Sequence, residues 1–320
     1  MVSWNTADLL DRALTALPEA LAGLEAEVVV VDNASADSSV AVARSHRGVE
    51  VVSSASNVGY ARAMNEALMG TRARALLALN PDTEASPGSL RTLVTTLDEE
   101  PRAGMVAPRL VDSHGMSQVS VYPYPGFVQA FETGFVPRPW RRDGLRRRSG
   151  PPVRTLKRRW VIGAVHCIRA AALGPDQPYS TRWFMYAEDM DLCWRLEAAG
   201  WKNVVHQDAI VVHHGNAAAR QRWGEGTGLE LRSLPNIYEW MRDHRSPLDV
   251  RATALTNVIS AQAKRWGLMA GATAVAGARA ARWDRHAADL KMLARFHAVM
   301  LRTRVVGARA GVDGAGEADP

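Results

Sequence analysis

Val28, Val29, Val30 and Val31 form an unbroken apolar run that ends in Asp32 and continues as Asn33-Ala34-Ser35. A run of β-branched residues without polar alternation offers no face to water, so it predicts a strand covered on both sides. The flanking patterns point the same way. Leu9, Leu10, Ala13, Leu14 and Leu17 recur at helical spacing over residues 8–21. Further apolar runs predict strands over 49–53 and 75–79, with helices over 36–45 and 60–71. Strands that alternate with helices imply an α/β fold, a mostly parallel sheet flanked by helices. In such sheets ligands gather beyond the carboxyl ends of the strands, and Asp32 and Asp82 both lie just past such ends.

At 320 residues the chain can bury a full core and suits one large domain with an appendage. No stretch reaches the roughly 18 uncharged apolar residues that a membrane-spanning helix needs. The best candidate begins at Trp266 and runs for 13 residues. With no signal peptide in view, a cytoplasmic location is expected, with peripheral attachment to the inner face of the cell membrane as the variant. Cys167 and Cys193 suit neither a disulfide framework nor a metal knuckle, and are expected to be buried free thiols.

The net charge of +6 is uneven: residues 138–159 hold ten Lys or Arg against one acid, Asp143. Interleaved Pro and Gly make this segment a predicted loop. It is either a solvated connector or a platform for an anionic membrane surface or a pyrophosphate-bearing acceptor. No recognition motif supports nucleic acid as a partner.

A second constraint lies at residues 184–201, where Glu188, Asp189 and Asp191 open a short helix. Leu192, Cys193, Leu196 and Ala199 share one stripe, and stepping back by three or four places Asp189 on that inward side. Glu188, Asp191 and Arg195 fall on another face, where an i,i+4 ion pair is expected. An inward carboxylate needs a reason. It is either an N-cap or a general base at a pocket edge.

Taken with the rest of the chain, this segment resembles the acceptor-side motif of family-two inverting nucleotide-sugar glycosyltransferases, in particular their rhamnosyltransferase-like branch. The other pieces follow in that family's order: Ser3-Trp4-Asn5, the Val run with Asp32-Asn33, Asn57-Val58-Gly59-Tyr60 through Asn65, Asn80-Pro81-Asp82-Thr83, and Val212-His213-His214-Gly215. The resemblance implies the GT-A fold, Rossmann-like, over residues 1–235. Within it a donor half is expected at 1–110 and an acceptor half at 155–225, with the basic loop 137–159 between them. A helical extension over 236–306 and a disordered tail over 307–320 complete the expected plan. Members of the family usually have five to eight apolar residues before the Ser-Trp-Asn turn, whereas only Met1 and Val2 precede it here. The expectation is a misassigned start or a trimmed chain, with half of a supporting strand lost.

The resemblance also assigns roles. Donor contacts are expected from Asp32, Asn33, Asn57, Gly59, Arg62, Asn65, Asn80 and Asp82. Trp160, Gly163, Ala164, Glu188 and Asp191 would line the acceptor side, and Asp189 would be the catalytic base. Asp82 with His213, or its neighbour His214, would hold Mg²⁺ or Mn²⁺, since adjacent residues on a strand face opposite ways. The implied reaction moves a sugar, rhamnose from dTDP-rhamnose first, onto a lipid-linked or polysaccharide acceptor with inversion, in cell-envelope assembly. UDP-galactofuranose, UDP-galactose or UDP-glucose as donor, or a non-catalytic carbohydrate-binding relative, are the alternatives. A dinucleotide-binding domain is disfavoured because the first turn lacks GxGxxG, and a zinc hydrolase because no HExxH or Cys ligands accompany the histidines. Oligomeric state is not legible.

Overall fold

The computed structural model describes residues 1–69, 71–136, 151–173, 177–215, 227–272 and 278–302. The chain divides into two compact units: Met1–Pro125 with Pro137–Ile237, and Gly126–Val136 with Tyr238–Pro320.

The first unit opens with β1 (Val2–Ser3), α1 (Ala7–Leu21), β2 (Val28–Asp32), α2 (Ser39–Ser45), β3 (Val49–Ser53), α3 (Tyr60–Met69) and β4 (Ala75–Leu79). The alternation expected from the apolar runs is therefore present, and β1, β2 and β3 form a parallel three-stranded sheet. One helix starts later than its periodicity suggests. Asp37 accepts hydrogen bonds from the backbone N–H of Ser39 and of Ala7, so residues 36–38 stay outside α2 and tie it to the start of α1.

β5 (Thr83–Ala85), α4 (Ser89–Glu99), β6 (Ala103–Val111) and β7 (Val121–Pro123) follow, and α5 (Phe127–Phe135) then belongs to the second unit. β8 (Val153–Leu156), β9 (Arg159–Val161), β10 (Val165–Arg169), α6 (Glu188–Ala198) and β11 (Lys202–His213) complete the sheets. The second sheet runs β4-β10-β6-β11-β5, with β8 against β11. β6 and β11 are parallel, and β10 runs antiparallel to both β4 and β6. Leu10, Leu14 and Leu17 of α1 and Leu90, Leu93 and Leu97 of α4 pack in one core with Leu79, Val106, Leu110, Val204 and Val211. Both cysteines are buried in this unit as free thiols, and burial pushes Cys167 up to about 12.

Beside the short β1 lies a cavity of about 600 Å³, lined among others by Met1, Leu17, Leu21, Leu77 and Leu90. The Met1 ammonium donates to the Val29 carbonyl at 2.7 Å, and burial lowers its pKa to about 5. The expected basic loop holds only in part. Residues 153–156 pair with β11 and 159–161 with β7, because Pro and Gly punctuate only the first half of the segment. Residues 137–150 of the predicted loop, and the predicted tail 307–320, lie outside the described residues.

The second unit is helical: α5, the end of α7 (Thr227–His244), α8 (Pro247–Ala272) and α9 (Ala278–Arg302). Small residues set its spacing. Ala261, Leu290 and Ala294 form the centre of a cluster between α8 and α9. A Cβ at Gly134 would come within 2.8 Å of Ser260 Oγ, so α5 lies directly against α8. Gly126 has no side chain to cap α5, and Asp249 of α8 does so by accepting the Phe127 N–H at 2.7 Å. Among the described residues no helix is long and apolar enough to cross a membrane.

Candidate active site

The turn after β2 is built around two amide side chains. Asn33 donates to Asn57 Oδ1 at 2.9 Å and accepts the Val58 N–H at 2.9 Å, while Asn57 Oδ1 also accepts the Gly59 N–H. The two asparagines thus fix the loop that leads into α3. Gly59 has φ +87°, and a Cβ there would sit 2.5 Å from the Phe184 carbonyl oxygen. The Tyr60 N–H donates to that same carbonyl at 2.9 Å, fastening the start of α3 to the approach to α6. Asp32 is buried. One of its oxygens accepts the Ser35 N–H, and the other, Oδ1, has no partner among the described residues. A buried acceptor at a strand end that lacks a protein partner suits a donor group on a ligand.

Two further residues expected to contact the donor, Arg62 and Asn65, stand on α3. Arg62 is exposed on α3. Asn65 is buried, and its amide makes a two-way clamp on Tyr179: Nδ2 donates to the Tyr179 carbonyl at 2.7 Å and Oδ1 accepts its N–H at 2.9 Å. Nδ2 also donates to Gln177 Oε1 at 2.9 Å, so Asn65 positions the segment before α6.

Asn80, Pro81 and Asp82 occupy the turn between β4 and β5. The His214 N–H donates to the Asp82 carbonyl, which aligns the end of β11 with this turn. His213 faces inward, with Nε2 3.7 Å from Asp82 Oδ1, while His214 turns to Glu84 at 2.7 Å. Strand alternation separates the two, as expected, and places His213 beside Asp82. Gln118 fixes the imidazole. Its Nε2 donates to the His213 carbonyl at 2.7 Å, so its Oε1 accepts from Nδ1–H at 3.0 Å. The imidazole Nε2 then faces the Asp82 carboxylate. A carboxylate, an imidazole and, two residues before Asp82, the buried Oδ1 of Asn80 are ligand types that suit a divalent cation. Among the described residues no group of three or more His, Cys, Asp or Glu could hold a metal, so a cation here would draw its other ligands from phosphate and water.

The acidic cluster of the site stands at the first turn of α6. Tyr186 and Ala187 precede it with φ +72° and +79°, two consecutive left-handed residues with side chains, a conformation that costs energy and persists only where the surroundings impose it. Asn236 of α7 supplies part of that support, donating to the carbonyls of Met185 and Tyr186. Ala187 holds the N-cap position, so Asp189 is not the cap. Instead Asp189 Oδ2 accepts the Gly163 N–H at 2.9 Å across the site.

The face of α6 expected to lie away from the core is corrected. Glu188 and Asp191 are buried, because residues 177–186 cover the first turn and Arg195 bridges Asp191, at 2.7 Å, to the carbonyls of Gln177 and Pro178. At the other end Ala199, expected inside, is exposed just past the helix. Burial, together with the charge of Asp189, raises the Glu188 pKa, and burial raises that of Asp189 against the opposing pull of the Gly163 and Met190 N–H groups.

Gly163 and Ala164 join the halves of the site. The Gly163 N–H holds Asp189, its carbonyl accepts the Tyr60 hydroxyl at 3.4 Å, and the Ala164 carbonyl accepts the Asn80 N–H at 2.9 Å. Burial first, and then the negative charges of Glu188, Asp189 and Asp82, hold the Tyr60 phenol well above its ordinary range. Trp160 stands on β9 and stacks on Tyr122 with ring centroids 5.3 Å apart. Three contributors escaped the sequence: Tyr60, Gln118 and Asn236. Tyr60 lay inside a motif already singled out, whereas no local signal marks the other two.

Comparison with known proteins gives the family and the fold. The family model described as Glycosyl transferase family 2 matches residues 1–160. Two curated relatives, each named N-acetylglucosaminyl-diphospho-decaprenol L-rhamnosyltransferase, from Mycobacterium tuberculosis strains CDC 1551 / Oshkosh and ATCC 25618 / H37Rv, are 29% identical over 230 residues. The match covers 67% of this chain and 74% of each relative. Among solved structures, a mannosyltransferase from Pyrobaculum calidifontis in complex with GDP-Man and Mn²⁺ superposes with a TM-score of 0.54 at 18% identity, covering 94% of this chain and 83% of that one.

Proposed function

The chain belongs to glycosyl transferase family 2, and from that premise we propose that this GT-A glycosyltransferase moves rhamnose from dTDP-rhamnose to a lipid-linked, diphosphate-bearing amino sugar, inverting the anomeric centre. The observation that carries the reading is the Gly163-Ala164 backbone, which hydrogen-bonds Asp189 on one side and Asn80 beside Asp82 on the other. One turn thereby ties a base to a diphosphate-facing carboxylate. The names of the Mycobacterium tuberculosis relatives support the choice of sugar and acceptor.

In this reading Asp32 and the Asn33–Asn57 pair receive the nucleoside beyond the end of β2. Asp82 and His213 face the diphosphate, and a Mg²⁺ or Mn²⁺ ion bound there would neutralise charge on the leaving group. Asp189, held by Gly163, takes the proton of the acceptor hydroxyl as that oxygen bonds to the anomeric carbon and the nucleoside diphosphate departs from the opposite side. A single base placed for one displacement gives inversion. The protonated Asp189 returns its proton to solvent. Its raised pKa brings the carboxylate closer to the working pH, where a base is most effective. The pKa of Glu188 beside it is also raised, by burial and by the charge of Asp189.

The test is a panel of nucleotide sugars with a polyprenyl-diphosphate amino sugar as acceptor, with Mn²⁺, with Mg²⁺ and with EDTA. Turnover with dTDP-rhamnose that EDTA abolishes is the expected outcome. Turnover of a UDP-hexose alone would reassign the donor, activity indifferent to EDTA would remove the cation from Asp82 and His213, and no nucleotide binding by calorimetry would leave a non-catalytic relative.

A further inference from the structure

The second unit departs from the usual rule for a folded surface. Phe127, Phe131 and Phe135 recur every four residues on α5 and are 44%, 49% and 44% exposed, with neighbouring rings 6.3 and 5.5 Å apart. They form one continuous aromatic stripe along the helix. The adjoining side of α5 carries Ala130 and Gly134, and Gly134 lies against Ser260 of α8. α8 in turn exposes Leu255, Ile259 and Trp266, the last to 66%. Isolated exposed hydrophobics are ordinary, but a stripe of three adjoining phenylalanines next to a helix with its own apolar row is a contact surface.

Charge identifies the partner. α8 carries exposed Arg251, exposed Lys264, which donates to the Thr133 carbonyl at 3.4 Å, and half-buried Arg265, against Asp249, which accepts the Phe127 N–H and lies 3.8 Å from Arg245, and half-buried Glu132 on α5. Aromatic residues flanked by cations suit the headgroup boundary of an anionic bilayer, where rings enter the acyl edge and basic side chains meet lipid phosphate. We propose that α5, through Phe127, Phe131 and Phe135, together with the apolar row of α8, lays this protein on an anionic membrane surface. The role rests on the lipid-linked acceptor proposed above, since a substrate anchored in a bilayer is reached only by an enzyme at its surface. The binding itself is independent of that reading and is measured without acceptor or nucleotide sugar.

The full chain is sedimented with vesicles of phosphatidylcholine alone and with about one-third phosphatidylglycerol. Cosedimentation with the anionic vesicles at low salt is expected, together with a loss of at least about tenfold in partitioning for the F127S/F131S/F135S variant. Thermal unfolding of the variant checks its fold. A second variant, Phe131→Trp, keeps the apolar surface and adds a fluorophore, which brominated lipid should quench beyond the quenching of the parent's own tryptophans. Binding by the triple serine variant equal to the parent, no added quenching in the Phe131→Trp variant, or no sedimentation of the parent would each overturn the proposal. So would a parent dimer that the serine variant splits, since the stripe would then be a subunit contact. Failure of transfer in the nucleotide-sugar panel with vesicle binding intact would sink the acceptor reading alone.

Discussion

The two units break opposite rules. The first buries what normally faces water: Asp32, Asn33, Asn65, Asp82, Glu188, Asp191 and His213 are all under a tenth exposed. The second exposes what normally hides, the aromatic stripe of α5 and the apolar row of α8. Each violation costs stability, and each sits where a ligand or partner could offset that cost. Buried acceptors with a polar ligand to meet, and exposed rings with an apolar phase to meet, are two forms of the same signal.

The largest expected effect tests the polar half of this contrast. Asp189→Asn should lower turnover by at least about 10²–10⁴-fold with nucleotide affinity near normal, because the amide still fits beside Gly163 but cannot take a proton. Calorimetry and steady-state rates separate the two, and weakened nucleotide binding with turnover intact would remove Asp189 from the role of base.

A smaller effect is expected at Gly163. A Cβ there would lie 3.2 Å from Asp189 Cβ, tight enough to move the carboxylate by a few tenths of an ångström without disrupting the core. Gly163→Ala should reduce kcat by about tenfold or more while KM for the nucleotide sugar holds, as misplacement of a catalytic group does. An unchanged kcat would mean the base tolerates more freedom than its hydrogen bond implies.

The smallest effect concerns pH, and there the units should part. Glu188 has its folded pKa raised from 4.5 by burial and by Asp189. Its contribution to stability is full below that value and is lost as pH rises through the shifted one. His297 of the second unit is buried against the Tyr238 hydroxyl at 2.8 Å, and its pKa is lowered from 6.5 to about 4. The unfolded chain takes up that proton first, so this unit loses stability as pH falls from 6.5 toward 4. Thermal melts should therefore show Glu188→Gln raising Tm by a few degrees, about 2–4 °C per kcal/mol, increasingly as pH rises above 4.5 and not below it. His297→Gln should flatten the acid side only. A shared response to both substitutions would erase the contrast.

Much of the first unit was legible because its signals are local. The Val run, the helical spacing of Leu10, Leu14 and Leu17, and strand alternation at His213 and His214 each depend on residues within a few positions of one another. The misreadings share a different cause. Periodicity placed Glu188 and Asp191 on an outer face, but burial there depends on residues 177–186 and on Arg195 reaching two distant carbonyls. Asn65 was read as a ligand contact, yet its partner Tyr179 is 114 residues away.

The sequence by itself determined the α/β class, the family, and the strand-end positions of Asp32 and Asp82, because periodicity and motif order follow from near neighbours. Only the tertiary structure decided which histidine faces Asp82, that Gly163 and Ala164 join Asp189 to the Asn80 turn, that Gln118 holds the His213 ring, and that the rings of α5 are left outside. Each of those depends on residues brought together across the sheets or between helices, and the packing that does so is a property of the whole chain.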